Sequence, residues 1–195
     1  MRTDERKLIA AFQAGDPTAF NTLYQRYSGR VLAFARQLTG SRTDAEDLTQ
    51  EVFLGAYRAA TGFRGQSRLL TWLFSIAVRR HRDNQRRHEL RTVPLFDNDL
   101  EEGEEGAYPV AYEMTRQVLD AVQLQEALER LSPGLREAFV LVAVQELTHK
   151  EAAAVLEIPI GTVKWQVAEA GRRLRVLLQE TEERAKEDVF PIHCG

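Results

Sequence analysis

An all-α protein of two small helical domains joined by an acidic flexible linker is what this sequence predicts, and three observations lead there. Apolar residues recur at three- and four-residue spacing through most of the chain, while long strand-like alternation is absent. Helix-start signals stand ahead of those stretches. Charge is segregated along the chain: residues 1–92 hold 16 Lys/Arg against 9 Asp/Glu, residues 93–120 hold 1 against 8, and residues 121–195 hold 9 against 12. The formal total of −3 therefore conceals a basic block, an acidic block and a mildly acidic block in series.

The helices follow in order, at roughly 4–14, 17–39, 43–60, 68–90, 112–130, 133–145, 148–156 and 161–180, with ends uncertain by about 2–4 residues. Asp16-Pro17 reads as an N-cap followed by proline at the first helical position. Thr43 with Glu46, and Thr148 with Glu151, have capping-box spacing, and Ser132-Pro133 repeats the cap-plus-proline signal. Leu48, Val52 and Tyr57, with Phe53 and Ala56, mark the apolar side of the third helix; Leu69, Trp72, Leu73 and Ile76 mark that of the fourth. From about 92 to 111 this pattern breaks. Pro94, Gly103, Gly106 and Pro109 are interleaved with Asp97, Asp99, Glu101, Glu102, Glu104 and Glu105, and such like-charge repulsion favours an extended linker. The expected organisation is a first domain over 1–91, a linker over 92–115, a second domain over 116–182 and a tail over 183–195.

Composition excludes several classes. With 12 Gly and 6 Pro in 195 residues the chain is neither collagen-like nor of low complexity. Its longest apolar run, Ala138 to Val144, is too short to span a bilayer, so no membrane insertion is expected. The N-terminus lacks an apolar stretch of the signal-peptide kind, and the single cysteine, Cys194, cannot form an internal disulfide. A reducing, cytoplasmic setting is expected.

Residues 148–175 form the most specific local pattern. A short capped helix carries small Ala152 and Ala153 where another helix must come close; Glu157-Ile-Pro159 turns the chain; Thr162 is placed to cap a second helix with Val163, Val167, Ala170 and Leu174 on its apolar side. Lys164, Trp165, Gln166 and Arg172 point elsewhere. This is the pattern of a DNA-reading helix-turn-helix, and equally that of a helical hairpin with a polar outer face. In the first domain, residues 64–91 hold eight Arg against Asp83 and Glu89. Arg79, Arg82 and Arg86 form one ridge, and Arg80 and Arg87 another. Arginine forks suit phosphate oxygens and base edges, and the glycine-bearing, aromatic stretch ahead of them suits unstacked bases. Trp72 and Phe74, taken singly, read as core. Upstream, Asp44, Asp47 and Glu51 make an acidic ridge opposite Leu48 and Val52, which suits a basic partner surface.

Four motifs, in this order, carry a resemblance: Asp44-Ala-Glu-Asp-Leu-Thr-Gln-Glu-Val-Phe53; Phe63-Arg-Gly-Gln-Ser67 with Thr71-Trp72-Leu-Phe-Ser-Ile-Ala77; Leu131-Ser-Pro-Gly-Leu-Arg-Glu-Ala-Phe139; and Ile160-Gly-Thr-Val-Lys164. Together they resemble the extracytoplasmic-function (ECF) group of bacterial RNA polymerase sigma factors. The resemblance implies a sigma region 2, an acidic linker and a sigma region 4, with no catalytic activity and no cofactor or metal. It implies as partners core RNA polymerase, through its beta-prime clamp coiled coil and beta flap, and promoter DNA, both duplex and single-stranded. An anti-sigma factor is a further partner usual in the group. Asp44, Asp47, Gln50, Glu51 and Phe53 match the polymerase-docking surface. Phe63, Arg64, Gly65, Gln66 and Ser67 match the loop that captures a flipped base of the −10 element, and Trp72, Arg79, Arg80, Asp83, Arg86 and Arg87 match the part that opens and holds it. Lys150, Thr162, Lys164, Trp165, Arg172 and Arg173 fall in the −35 reader. The acidic linker resembles the segment that threads the polymerase's RNA channel. Two departures stand out. Arg79 replaces a usual Asn, and Gln166, Glu169 and Gly171 replace usual basic residues, which implies weaker or altered −35 binding.

Other classes fit less of the chain. A helix-turn-helix regulator that binds only duplex DNA, or a module that holds a sigma factor inactive, would leave the Phe63–Arg87 apparatus unexplained. His81 and His88 are seven residues apart, too distant for one tetrahedral metal unaided, and His193-Cys194 supplies only two adjacent donors.

Overall fold

The computed structural model describes residues 3–63, 65, 67–89 and 121–189; the expected linker over 92–115, the end of the tail, Arg64 and Gln66 lie outside the described residues. Among the described residues there are eight α-helices and no strand. They are α1 (Thr3–Gln13), α2 (Pro17–Thr39), α3 (Arg42–Arg58), α4 (Leu69–Glu89), α5 (Ala121–Glu129), α6 (Pro133–Phe139), α7 (His149–Leu156) and α8 (Ile160–Val189). A 3-10 turn, Ala60–Gly62, follows α3, and a π turn, Val140–Val144, extends α6.

Local chemistry sets most boundaries. Asp16 accepts a hydrogen bond from the Thr18 amide and opens α2 just ahead of Pro17. Gly40 closes α2 in the left-handed region, φ 73°, where its N–H caps the Arg36 carbonyl. The cap of α3 is Ser41, which accepts from the Asp44 amide, rather than Thr43; the helix starts two residues earlier than the Thr43–Glu46 spacing suggests. Thr148 and Glu151 do form the expected capping box around the start of α7, and those bonds hold the Glu151 carboxyl below its usual range. Helix α8 starts at Ile160, so Thr162 lies in its first turn and is not its cap. It continues to Val189, beyond the expected end at 180.

Helices α2, α3 and α4 enclose the first core. Val31, Phe34 and Leu38 of α2 meet Leu48 and Val52 of α3 and Leu69, Leu73 and Phe74 of α4, all at most 2% exposed. The Phe34 and Phe74 rings lie 4.4 Å apart. Tyr57, expected on this apolar side, is instead 50% exposed. The second core gathers Leu128, Leu135, Phe139 and Leu141 with Ala152, Val155, Leu156, Val163, Val167 and Leu174. Small Ala152 lets α7 approach α8 closely. The two cores merge into one apolar cluster.

Polar bonds tie the same seam. Arg136 of α6 donates to the Leu38 carbonyl at the end of α2 (2.8 Å) and to the Leu128, Glu129 and Leu131 carbonyls of its own domain. Gln125 of α5 donates to the Arg36 carbonyl (3.1 Å) and Gln145 to the Gln37 side chain (3.1 Å). The Leu38 carbonyl at the helix end has no intrahelical partner, so Arg136 supplies the donor that α2 lacks, while Gln125 adds a second bond to the Arg36 carbonyl that Gly40 already caps. Gly40 sits beneath this contact: a Cβ there would stand 2.5 Å from Glu129 Oε1.

His81 of α4 is buried at the seam, 9% exposed. Burial, helped by the nearby Arg136 and Arg82, lowers its pKa from 6.5 to about 4. Between those values the opened or unfolded chain binds a proton that the packed chain does not, so acidification destabilises the packed form over that window. The loss is no more than about 3 kcal/mol. Glu137 acts in the opposite sense, because burial raises its carboxyl against the lowering pull of Arg82. Denaturant titrations of wild type and His81→Gln at pH 7.5 and 5 isolate the histidine: the wild type should lose more stability on acidification than the variant, and parallel pH profiles would remove His81 from the account.

Candidate nucleic-acid and polymerase interface

On α3, Asp44, Asp47 and Gln50 are exposed while Leu48 and Val52 beneath them are buried, which leaves an acidic face over an apolar underside. Glu51 is half-buried at its edge and accepts a hydrogen bond from Asn84 of α4 (3.3 Å). Phe53 does not belong to the exposed face. It is 2% exposed and packs edge-on against Tyr24, ring centroids 4.7 Å apart, so it supports the ridge from below. The face is extended by residues not singled out as a site from sequence: Leu54 (55% exposed), Tyr57 and Tyr24. The signal was present, since 47, 50, 51 and 54 share one helical face.

The loop between α3 and α4 is built on aromatic packing. Phe63 is 4% exposed, its ring 4.9 Å from that of half-buried Trp72, and its carbonyl accepts from Gln13 of α1 at 2.6 Å. These two rings are foundation. Gly65 above them is exposed in the left-handed region, φ 67°, with open space where a side chain would be, and Ser67 is half-buried. Among the described residues of this loop, Gly65 and Arg68 are exposed, whereas Leu69 and Thr71 at the start of α4 are buried.

On α4, Arg86 and Arg87 are exposed, and Asp83 is half-buried. Arg80 is half-buried and lies against α3, its guanidinium 3.8 Å from where a Cβ on Gly55 would sit. The remaining arginines engage the second domain. Arg79 pairs with Glu157 at 2.8 Å. Arg82 makes a fork on Glu137, with bonds of 2.6, 3.1 and 3.2 Å, and donates to the Leu156 carbonyl at the end of α7 (3.2 Å). Glu137 is only 2% exposed on its side chain, so removing Arg82 would strand a buried carboxylate at a penalty of about 3–5 kcal/mol. A cleft of about 160 Å³ lies along this line, bordered by Ser75, Arg79, Arg82, Asp83, Arg86 and Glu157. Neither Arg82 nor Glu137 stands out as an interdomain residue in the sequence. The available signal was an acid set among Leu135, Ala138 and Phe139, where a helix is otherwise apolar.

In the second domain, α7, the Glu157 turn and α8 form a helix-turn-helix. Lys150 and Lys164 are exposed and Thr162 is half-buried. Trp165 is half-buried and packs on the apolar cluster. Gln166 lies against α6, its Nε2 3.1 Å from where a Cβ on Gly134 would be, and its buried Oε1 has no hydrogen-bond partner. Arg172 and Arg173 both turn back onto Glu169. Arg172 forks it at 2.7 and 2.8 Å, and Arg173 reaches it at 2.6 Å. Hydrogen bonds from Arg172, then Arg173, hold the Glu169 carboxyl at about 2 against the upward push of partial burial.

Comparison with known proteins places this geometry. The Sigma-70 region 2 family matches residues 23–91, and the Sigma-70, region 4 family matches residues 121–174. The ECF RNA polymerase sigma factor SigM of Mycobacterium tuberculosis is 36% identical over 175 residues, covering 89% of this chain and 84% of that protein. The ECF RNA polymerase sigma-E factor of Escherichia coli is 32% identical over 173 residues, covering 85% and 90%. Among solved structures, the sigma factor RpoE in complex with the anti-sigma factor NepR from Bartonella quintana is similar with TM-score 0.66 at 27% identity, over 82% of this chain and 96% of that one. With its acidic face, arginine-rich helix and helix-turn-helix in the order of sigma regions 2 and 4, the chain belongs to the ECF group of RNA polymerase sigma factors, which direct promoter-specific transcription initiation.

Proposed function

We propose how the work of a sigma factor is divided along this chain. Region 2, residues 1–91, docks on the beta-prime clamp coiled coil of core polymerase through Asp44, Asp47, Gln50 and Glu51, with Tyr24 and Leu54 extending the contact. The observation that carries this assignment is the exposed acidic face of α3 standing over a fully buried apolar underside, beside exposed aliphatic and aromatic surface. The −10 element is opened and held by the loop over Arg64–Ser67 and by Arg79, Arg80, Asp83, Arg86 and Arg87, while Phe63 and Trp72 fix that loop's base. Extruding a base costs a few kcal/mol, which pocket and phosphate contacts must offset. Linker residues 92–115 enter the polymerase's RNA channel. Region 4, residues 116–182, presents Lys150, Thr162, Lys164, Arg172 and Arg173 to the −35 duplex and meets the beta flap, with Trp165 packed behind the reading face. The protein regulates the polymerase by binding, without a catalytic step of its own, and does so in the cytoplasm. An anti-sigma protein is the expected regulator, since relatives such as RpoE have been solved in complex with one.

Reconstituted initiation with core polymerase on cognate templates tests the whole assignment. Charge reversal by Asp47→Lys with Glu51→Lys should weaken core association at least about tenfold (about 1.4 kcal/mol) and lower promoter-dependent initiation in step, with unchanged helicity by circular dichroism. Undiminished core affinity would move the docking site elsewhere.

Glu169 makes a second prediction for the −35 reader. Because one carboxylate engages both Arg172 and Arg173, Glu169→Gln should tighten −35 duplex binding by the full chain. It should also steepen the dependence of log K on log salt by up to about 2, the contribution of two released phosphate contacts. Replacing Arg172 and Arg173 by Ala should cost little in the wild type and much more in the Glu169→Gln background. Equal losses in both backgrounds would mean that the ion pairs do not restrain the arginines.

A further inference from the structure

The loop assigned above to base capture can place a reader precisely only if its ends are held by rigid elements. Its far end enters α4, whose first residue, Leu69, is buried. Its near end leaves the 3-10 turn Ala60–Gly62, where the Phe63 amide donates to the Ala60 carbonyl at 3.2 Å. The next polar group along the chain, the Phe63 carbonyl, is held from another helix. Gln13 of α1 donates to it through Nε2 at 2.6 Å, across 50 residues of sequence. That carbonyl belongs to the peptide joining Phe63 to Arg64. Because a peptide unit is planar, a bond that orients its carbonyl also orients the first peptide of the loop. The bond therefore acts on direction, whatever its energy.

Gln13 projects from a fixed backbone. It is the last residue of α1, and the preceding Phe12 is buried and stacks on Phe20, ring centroids 6.2 Å apart. Just after it the chain folds back on the helix end: the amides of Ala14, Gly15 and Asp16 donate to the carbonyls of Ala10, Phe12 and Ala11, and Asp16 then caps α2. Toward the start of α1, Glu5 accepts from the hydroxyl of buried Tyr27 of α2 at 2.9 Å. Helix α1 is thus tied to α2 near both ends. It lies wholly outside residues 23–91, the part that matches Sigma-70 region 2.

We propose that Gln13 is a positioning residue for base selection in the −10 strand: through one side-chain amide, α1 sets the direction in which the loop leaves Phe63, and with it the site that receives the extruded base. The inference rests on the assignment of that loop to base capture. Contacts to phosphate hold every base alike, whereas contacts to a base edge depend on where the loop points. Loss of the Gln13 bond therefore flattens the choice among bases and leaves the common part of the affinity in place.

The test uses holoenzyme reconstituted from core polymerase and the full chain. The probe is a fluorescent DNA single strand of about twelve nucleotides, selected from a randomised pool on the wild-type holoenzyme, with each of the four bases then placed in turn at every position. Arg64→Ala with Gln66→Ala identifies the position whose preference depends on the loop. At that position Gln13→Met, which keeps the length of the side chain and removes its donor, should lower the ratio between the best and the worst base about fivefold. Gln13→Lys, whose ammonium reaches the same carbonyl, should keep the ratio within about twofold of wild type. Preferences elsewhere in the strand should not change. An unaltered ratio in Gln13→Met would overturn the proposal, and so would an equal fall in affinity for all four bases, which is what a purely structural tie would give. Equal flattening by Gln13→Met and Gln13→Lys would also overturn it, since the effect would then lie in packing and not in the donor. If no position responds to the loop variant, the assignment of the loop to base capture falls instead, and the role of Gln13 falls with it.

Discussion

A carboxylate cannot lie in an apolar helix face without a cation, and the joint between the two halves of this molecule follows from that constraint. Glu137 occupies a position on α6 between residues that fill the region 4 core, and its side chain is 2% exposed. Its own domain does not neutralise it with a fork. Arg82 comes from region 2, brings a bidentate pair and completes its hydrogen bonding on a helix-end carbonyl. The neighbouring Arg136 does the converse, bonding to the last turn of α2 and to three carbonyls at the α5–α6 connection. Each domain therefore contains a polar group that only the other can satisfy. His81 at this joint has its pKa lowered to about 4, chiefly by burial and further by the Arg136 and Arg82 charges. The joint is specific because of these polar partners, and it is separable because they can be resolvated once the domains part.

How much of this was legible in the sequence depended on the range of the interactions. Asp16-Pro17 and the Thr148–Glu151 box are satisfied within one turn of backbone, and both formed as their spacing suggested. Ser41 displaced Thr43 as a cap because Gly40 ends α2 in the left-handed region and delivers the chain two residues early. Periodicity placed Leu48 and Val52 inside but misplaced Tyr57. That side chain rests edge-on against Phe20 at 5.3 Å with half its surface in water, an arrangement open to an amphipathic ring and unlike core. The motifs marked out candidate segments without distinguishing their exposed residues from their buried ones. Phe53 and Phe63 belong to those segments, yet both are buried, because an exposed loop or ridge needs an apolar base. Arg82 was legible as one member of a ridge, whereas its pairing with Glu137 was not, since 55 residues and the acidic segment separate the two.

The distribution of charge acquires a physical sense once pairs are assigned. Region 2 carries an excess of arginines, but those facing region 4 are matched by its glutamates, so part of the mild acidity of the final block lies at the joint. On α8 the same logic operates within one helix. Glu169 gathers Arg172 and Arg173, and exposed ion pairs of this kind contribute little to stability individually. Their effect is on where the guanidinium groups point. Two arginines drawn toward one carboxylate present less positive field to a phosphate backbone than two free ones, whatever the stability of the helix.

Glu157 shows why such details are better explained by function than by folding alone. A left-handed backbone costs a non-glycine residue roughly 1 kcal/mol, and a glycine at that turn would avoid the cost. The exposed pair with Arg79, 2.8 Å long with both side chains more than two-thirds exposed, returns about as much at best. Folding of region 4 by itself therefore gains nothing from glutamate here. What glutamate adds at this turn is reach across the seam, since its carboxylate is the group that meets Arg79 of α4. A strained, exposed pair of this kind adds little to the joint, whereas the buried Arg82–Glu137 fork gives the joint its specificity. With the exposed Arg79 pair at its edge and the buried Arg82 fork inside, the joint is held chiefly from within, by the carboxylate that water cannot reach.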